Sequence, residues 1–186
     1  MEAVDDLWTA VISLHNIKNA SAMISNLKFD VVAEKAAKDP EFQEFFKTMG
    51  SSINKEKVKS DAYKSQPFIS SISWALFSAY QTIIWHDFLK LEMLKSGLNI
   101  PELFDSNIVS NLIKTALPHQ TEYINKYGSS AHYYLLEELE NSILNELKKI
   151  VDGTEADQAS VKQAGEILKA SSNLMKEMTS IQPSHF

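Results

Sequence analysis

The 186-residue chain contains no cysteine and no arginine. Without cysteine there is no disulfide framework and no thiolate to act as nucleophile or ligand. That fits a reducing compartment, and the expected location is cytoplasmic. All 18 basic residues are lysines. Arginine's planar fork is the usual bidentate recogniser of phosphate. Its absence, together with a net charge of -6, argues against a nucleic-acid partner. Five glycines and five prolines leave few interruptions, which favours helices over many short strands. No Gly-rich phosphate loop, H-E-x-x-H helix or nucleophile elbow occurs. Neither Glu92 nor Glu122 has a histidine three residues on, so the Glu-x-x-His pairs of a di-metal bundle are missing. These gaps predict a protein that is not an enzyme. The opening M-E-A-V-D-D is acidic, so no secretory signal is expected there.

What the chain does have is one long apolar stretch, Gln66 to Met93. No residue from Ser65 to His86 is charged, and Phe68, Ile69, Ile72, Leu76, Tyr80, Ile83 and Ile84 fall on most sides of a helix drawn through it. Such a helix belongs at the centre of a domain. Ser70, Ser73 and Gln81 form one thin polar stripe. Five serines, two glutamines and Thr82 in this stretch, with no basic flank to orient it, argue against a membrane partner.

Around it the pattern is helical throughout. Apolar residues from Val4 to Leu27 recur at three- and four-residue steps, predicting an amphipathic region bent near Ser13–Asn19. Asp30 can cap a helix over V-V-A-E-K-A-A-K. Asp39-Pro40 is a helix start and Gly50 its end. Pro67 marks either the start of the long helix or a kink in it, and Gly97 its left-handed cap. Asp105 or Ser106 caps the next helix, Pro118 opens another, and Gly128 stops it. Ser130 caps a helix that runs to Gly153, with Glu137, Glu138 and Glu140 on a solvated face. Thr154 with Asp157 resembles a capping box. The final helix turns Val161, Ala164, Leu168, Met175 and Met178 inward, and the tail with His185 frays. The expectation is an all-α protein: a single domain over residues 1–186 of about eight helices around a long buried central helix. Another α-helical bundle is the alternative.

Among the histidines, His86, His119 and His132 are candidates to ligate a metal through an apolar pocket, while His15 reads as a surface or boundary residue. A hydrogen-bonded structural role is the default for any one of them.

Four segments, taken in order, resemble the globin superfamily. D-P-E-F-Q-E-F-F (39–46) places Phe46 six residues after Pro40, as in the short globin helix whose phenylalanine stacks on haem. S-D-A-Y-K-S-Q (60–66) is similar to the start of the distal helix, with Gln66 at the ligand-facing position. H-Q-T-E-Y-I-N-K-Y-G-S-S-A-H-Y-Y-L-L-E-E-L (119–139) resembles the proximal segment, with His119 as iron ligand. D-G-T-E-A-D-Q-A-S-V-K-Q-A (152–164) looks like the turn into the last helix. Trp8 resembles the tryptophan of the first. Family spacing would put Tyr123 at the proximal position, and Trp85–Asp105 reads as an insertion.

The resemblance implies a globin-like domain that binds haem (heme, iron) and reversibly takes up a diatomic gas such as oxygen, as carrier, scavenger or sensor. Phe46, Gln66 and His119 would contact the haem, and His119 would hold its iron. A homo-oligomer is compatible with this. The alternative is a haem-free helical domain acting by protein–protein interaction. A third reading, an enzyme acting on lipid-like molecules in an apolar pocket, lacks a catalytic set.

Overall fold

The computed structural model describes residues 2–59, 61–100, 106–153 and 158–180, and every regular element among them is helical. The α-helices are α1 (Glu2–Ser13), α2 (His15–Ile24), α3 (Phe29–Lys38), α4 (Pro40–Met49), α5 (Ser71–Ser96), α6 (Ser106–Ala116), α7 (Thr121–Tyr127), α8 (His132–Val151) and α9 (Gln158–Ser180). The all-α expectation holds. The bend expected near Ser13 is the break between α1 and α2. There the Ser13 hydroxyl donates to the Ala10 carbonyl at 2.7 Å and accepts from the Lys59 amide at 2.9 Å. Asp30 lies in the first turn of α3, which Lys28 precedes, and so does not cap it. Asp39 does cap α4, its carboxylate accepting from the amides of Glu41 and Phe42.

The central helix starts later than Pro67. Gln66–Phe68 forms a single 3-10 turn, and α5 begins at Ser71 with the Ser70 hydroxyl accepting from the Ser73 amide. Proline's missing donor is harmless in that turn, so no kink arises. Phe68, counted above among the core residues, is 74% exposed. From Ser71 the helix runs unbroken for 26 residues, about 39 Å at 1.5 Å per residue. The stretch from Trp85 to Ser96, read above as part of an insertion, is its continuation; residues 101–105 lie outside the described ones. Gly97 ends α5 in the left-handed conformation at φ 71°, where a side chain's Cβ is disfavoured.

α5 is apolar nearly all round because α2, α3, α4, α6, α8 and α9 all pack against it. Ala75, Ala79, Tyr80, Ile83, Ile84, Leu91 and Leu94 are wholly buried there. Gly128, at φ 56°, closes α7, and a 3-10 turn (Gly128–Ala131) leads into α8. α8 has no side-chain cap, so Ser130 does not serve as one. α9 buries Ala164, Ile167, Ser171, Leu174 and Met178, while Val161 and Met175 are exposed, contrary to expectation. Thr154, Asp157 and the tail beyond Ser180 lie outside the described residues. Among those described, no helix is long and apolar enough to cross a membrane.

Candidate functional site

The second half of α5 carries charge into the core. His86, Asp87 and Lys90 are 1%, 4% and 8% exposed, and His132 at the start of α8 is 5% exposed. Burying ionised groups costs several kcal/mol each unless they are partnered, and the partners are nearby. His86 Nδ1 contacts Asp87 Oδ1 at 3.4 Å. His132 Nε2 pairs with the Ser110 hydroxyl of α6 at 3.0 Å. The Lys90 ammonium lies 5.2 Å from the centre of the Phe29 ring, a cation–π distance.

Burial acts first on every member of this cluster. It pulls Lys90 down, against the carboxylates of Asp87, Asp30 and Glu177, which favour its charge. It pulls His86 down as well, against the neighbouring Asp87. His132 falls from 6.5 to about 4; burial is the main cause, Asp87 opposes it, and Lys90 and His86 add to it. Burial raises Asp87, but His86, Lys90 and the Ser21 hydroxyl outweigh it and hold the carboxyl below its usual range. At neutral pH the cluster therefore holds an Asp87 carboxylate beside two neutral imidazoles, and burial makes Lys90 give up its proton more readily than an exposed lysine.

A cleft of about 350 Å³ opens onto this cluster between α2, the start of α3, α5, α6 and α8. Asp87, Lys90 and His132 form its floor, Ile24, Phe29 and Val109 its apolar walls, and the exposed Lys28 and Asp30 its mouth. Two polar atoms of its lining residues, Asp87 Oδ2 and Ser25 Oγ, are sealed from water and have no hydrogen-bond partner among the described residues. Such orphans cost about 1–3 kcal/mol each and ask for an explanation.

A second polar junction ties α1–α2, α5 and α8 together. Glu140 Oε2 receives Lys18 Nζ, His15 Nε2 and the Tyr80 hydroxyl, each at 3.0 Å. Glu140 is thus no member of a solvated face; its side chain is 17% exposed. His15 is at the boundary, as expected.

The residues expected around a haem stand on three different elements. Phe46 is 3% exposed and packs its ring edge-on against Phe42 and Phe45 within α4. Gln66 is exposed in its 3-10 turn. The His119 side chain is 62% exposed, its Nε2 bonded to the Glu138 carboxylate. Of the three, only His119 lines one of the clefts described here, a shallow one shared with Ile72, Leu76 and Gln163. Tyr123 is 38% exposed and stacks near Tyr127. Phe46 is thus engaged within its own helix and His119 with Glu138. No cluster of three or more histidines or carboxylates able to hold a metal occurs among the described residues. Of the candidate histidines, His86 and His132 are the two brought together, both beside Asp87. The signal for this site was H-D-x-x-K at the end of an apolar run, where charges one turn apart lie on the same face. No protein-family model, no curated protein and no solved structure matches the chain.

Proposed function

We propose that the protein binds a small organic amine in the cleft above Asp87, Lys90 and His132. The observation that carries this is Asp87 Oδ2, an acceptor sealed in the floor of a cleft with no hydrogen-bond partner within ordinary distance among the described residues. Carboxylate torsions are soft, so a modest turn presents either oxygen to a ligand. Ser25 adds a second unmet polar atom. Lys90 already has three carboxylates acting on it, so the surroundings accommodate an added cation better than an added acid. Ile24, Phe29 and Val109 suit an apolar body on the same molecule. The haem reading, in which oxygen binds at His119 and Gln66, draws its support from the order of the motifs alone.

Calorimetric titration with butylamine and phenethylamine, against their N-acetyl derivatives, tests the proposal. Saturable binding of a free amine, at least about tenfold tighter than its acetylated form and weakened in Ser25→Ala and Asp87→Asn, is the expected result. Equal binding of amine and acetyl-amine, or none by either amine, would discard it.

A further inference from the structure

The opposite side of the same two turns of α5 forms a different kind of site. Trp85, Phe88, Leu89 and Glu92 stand at positions i, i+3, i+4 and i+7, so they share a face that His86, Asp87 and Lys90 do not. With α9 and the segment after α5 they line a groove of about 500 Å³. Its walls are Trp85, Phe88 and Leu89 together with Met93, Met175 and Met178. Methionine's unbranched, polarisable thioether adapts to flexible apolar ligands better than branched side chains do.

The charges on the lining select the head group. Glu92 is engaged by Lys95 at 2.7 Å. Lys55, on the 3-10 turn Lys55–Lys57, is exposed and has no ion-pair partner among the described residues. The net unmet charge on the groove is therefore one ammonium. We propose that this groove binds a medium-chain fatty acid, its acyl chain along Trp85, Leu89 and the methionines and its carboxylate on Lys55. Counting each methylene as about the size of a water molecule, ~30 Å³, a ten-carbon chain needs about 300 Å³, which the groove holds with room for the carboxylate.

The test is titration with sodium decanoate below its aggregation concentration, in parallel with decan-1-ol. Saturable binding at one site is expected, with decanol weaker than decanoate. Lys55→Glu lies on an exposed turn and places no burden on folding; it should weaken decanoate by about tenfold and leave decanol unchanged. Met175→Glu, also at a partly exposed position, should weaken both ligands, with helical circular dichroism unaltered. The proposal is overturned by absence of saturable decanoate binding. It is equally overturned by equal affinity for acid and alcohol, or by Lys55→Glu binding decanoate as the wild type does.

Discussion

The Tyr80 hydroxyl donates to Glu140 Oε2 at 3.0 Å, joining the middle of α5 to the middle of α8. Lys18 and His15 bond to the same oxygen, so one carboxylate fastens the α1–α2 region to both helices. Burial, and then the Glu140 charge, raise the Tyr80 phenol and keep it a donor throughout the stable range. Burial pushes Glu140 up, but the bonds from Lys18, His15 and Tyr80 hold it below 4.5.

Glu140→Gln keeps the shape and removes the charge. Hydrogen bonds to a charged group contribute about 1.5–3 kcal/mol when buried. Discounted for partial solvent exposure, the expected loss is about 1–2 kcal/mol at pH 7. A carboxyl held down on folding contributes its stability above its unfolded value and loses it as pH falls. The gap between wild type and Glu140→Gln in urea unfolding should therefore narrow below pH 4.5. A gap that is constant from pH 7 to pH 3 would show that charge plays no part.

His132 gives a separate pH window. It is buried neutral, with its folded value at about 4 against 6.5 unfolded. Below pH 6.5 the unfolded chain binds a proton that the folded chain refuses, so stability falls as pH drops from 6.5 to 4. His86, also pulled down by burial, acts in the same direction. At 1.36 kcal/mol per pKa unit, His132 alone accounts for about 3 kcal/mol across that window. His132→Gln should flatten the stability profile between pH 6.5 and 4. An unflattened profile would assign the pH dependence elsewhere.

Asp87 and Lys90 should behave as a unit. Removing one charge of a buried pair costs about 3–5 kcal/mol because it strands the other. Asp87→Asn and Lys90→Met should each be strongly destabilising, and the double variant should cost clearly less than the two together. Simple additivity within about 0.5 kcal/mol would mean that the two groups are energetically independent.

Gly97 and Gly153 provide a matched comparison. Both have positive φ, 71° and 73°. A Cβ at Gly153 meets nothing within 4 Å among the described residues, whereas one at Gly97 runs into the Gln43 amide and comes within 3.2 Å of the Ala36 carbonyl. That amide donates to the same Ala36 carbonyl at 2.7 Å. Gly153→Ala should cost about 1 kcal/mol from backbone strain alone. Gly97→Ala should cost about 2–3 kcal/mol, since it also displaces Gln43. Equal melting temperatures for the two variants would remove the packing argument.

Local signals were the legible ones. Asp39-Pro40, Gly50, Gly97 and Gly128 set helix ends through their own backbone chemistry, and the uncharged run announced α5. The inward face of α9 is legible at Ala164 and Met178 but not at Val161 and Met175, because its stripe carries Ser171 at its centre while Val161 and Met175 look as apolar as the residues that are buried. The Glu140 junction was invisible because His15 and Lys18 lie more than a hundred residues away in sequence. The burial of Lys90 and Asp87 had no local signal, because charge normally marks a surface; only packing from α2, α3 and α8 puts them inside. The haem expectation leaned on motif order, which says nothing of whether Phe46, Gln66 and His119 converge in space.

The encirclement of α5 also bears on how the chain folds. Its most extensive neighbour, α9, begins at Gln158, long after α5 has ended at Ser96. During synthesis at about 5–20 residues per second, one whole flank of α5 waits several seconds for its cover. Until then Trp85, Phe88 and Leu89 face water on a helix otherwise ready to pack. A nascent chain stalled before α9 should therefore be prone to self-association and a client for chaperones that hold apolar segments.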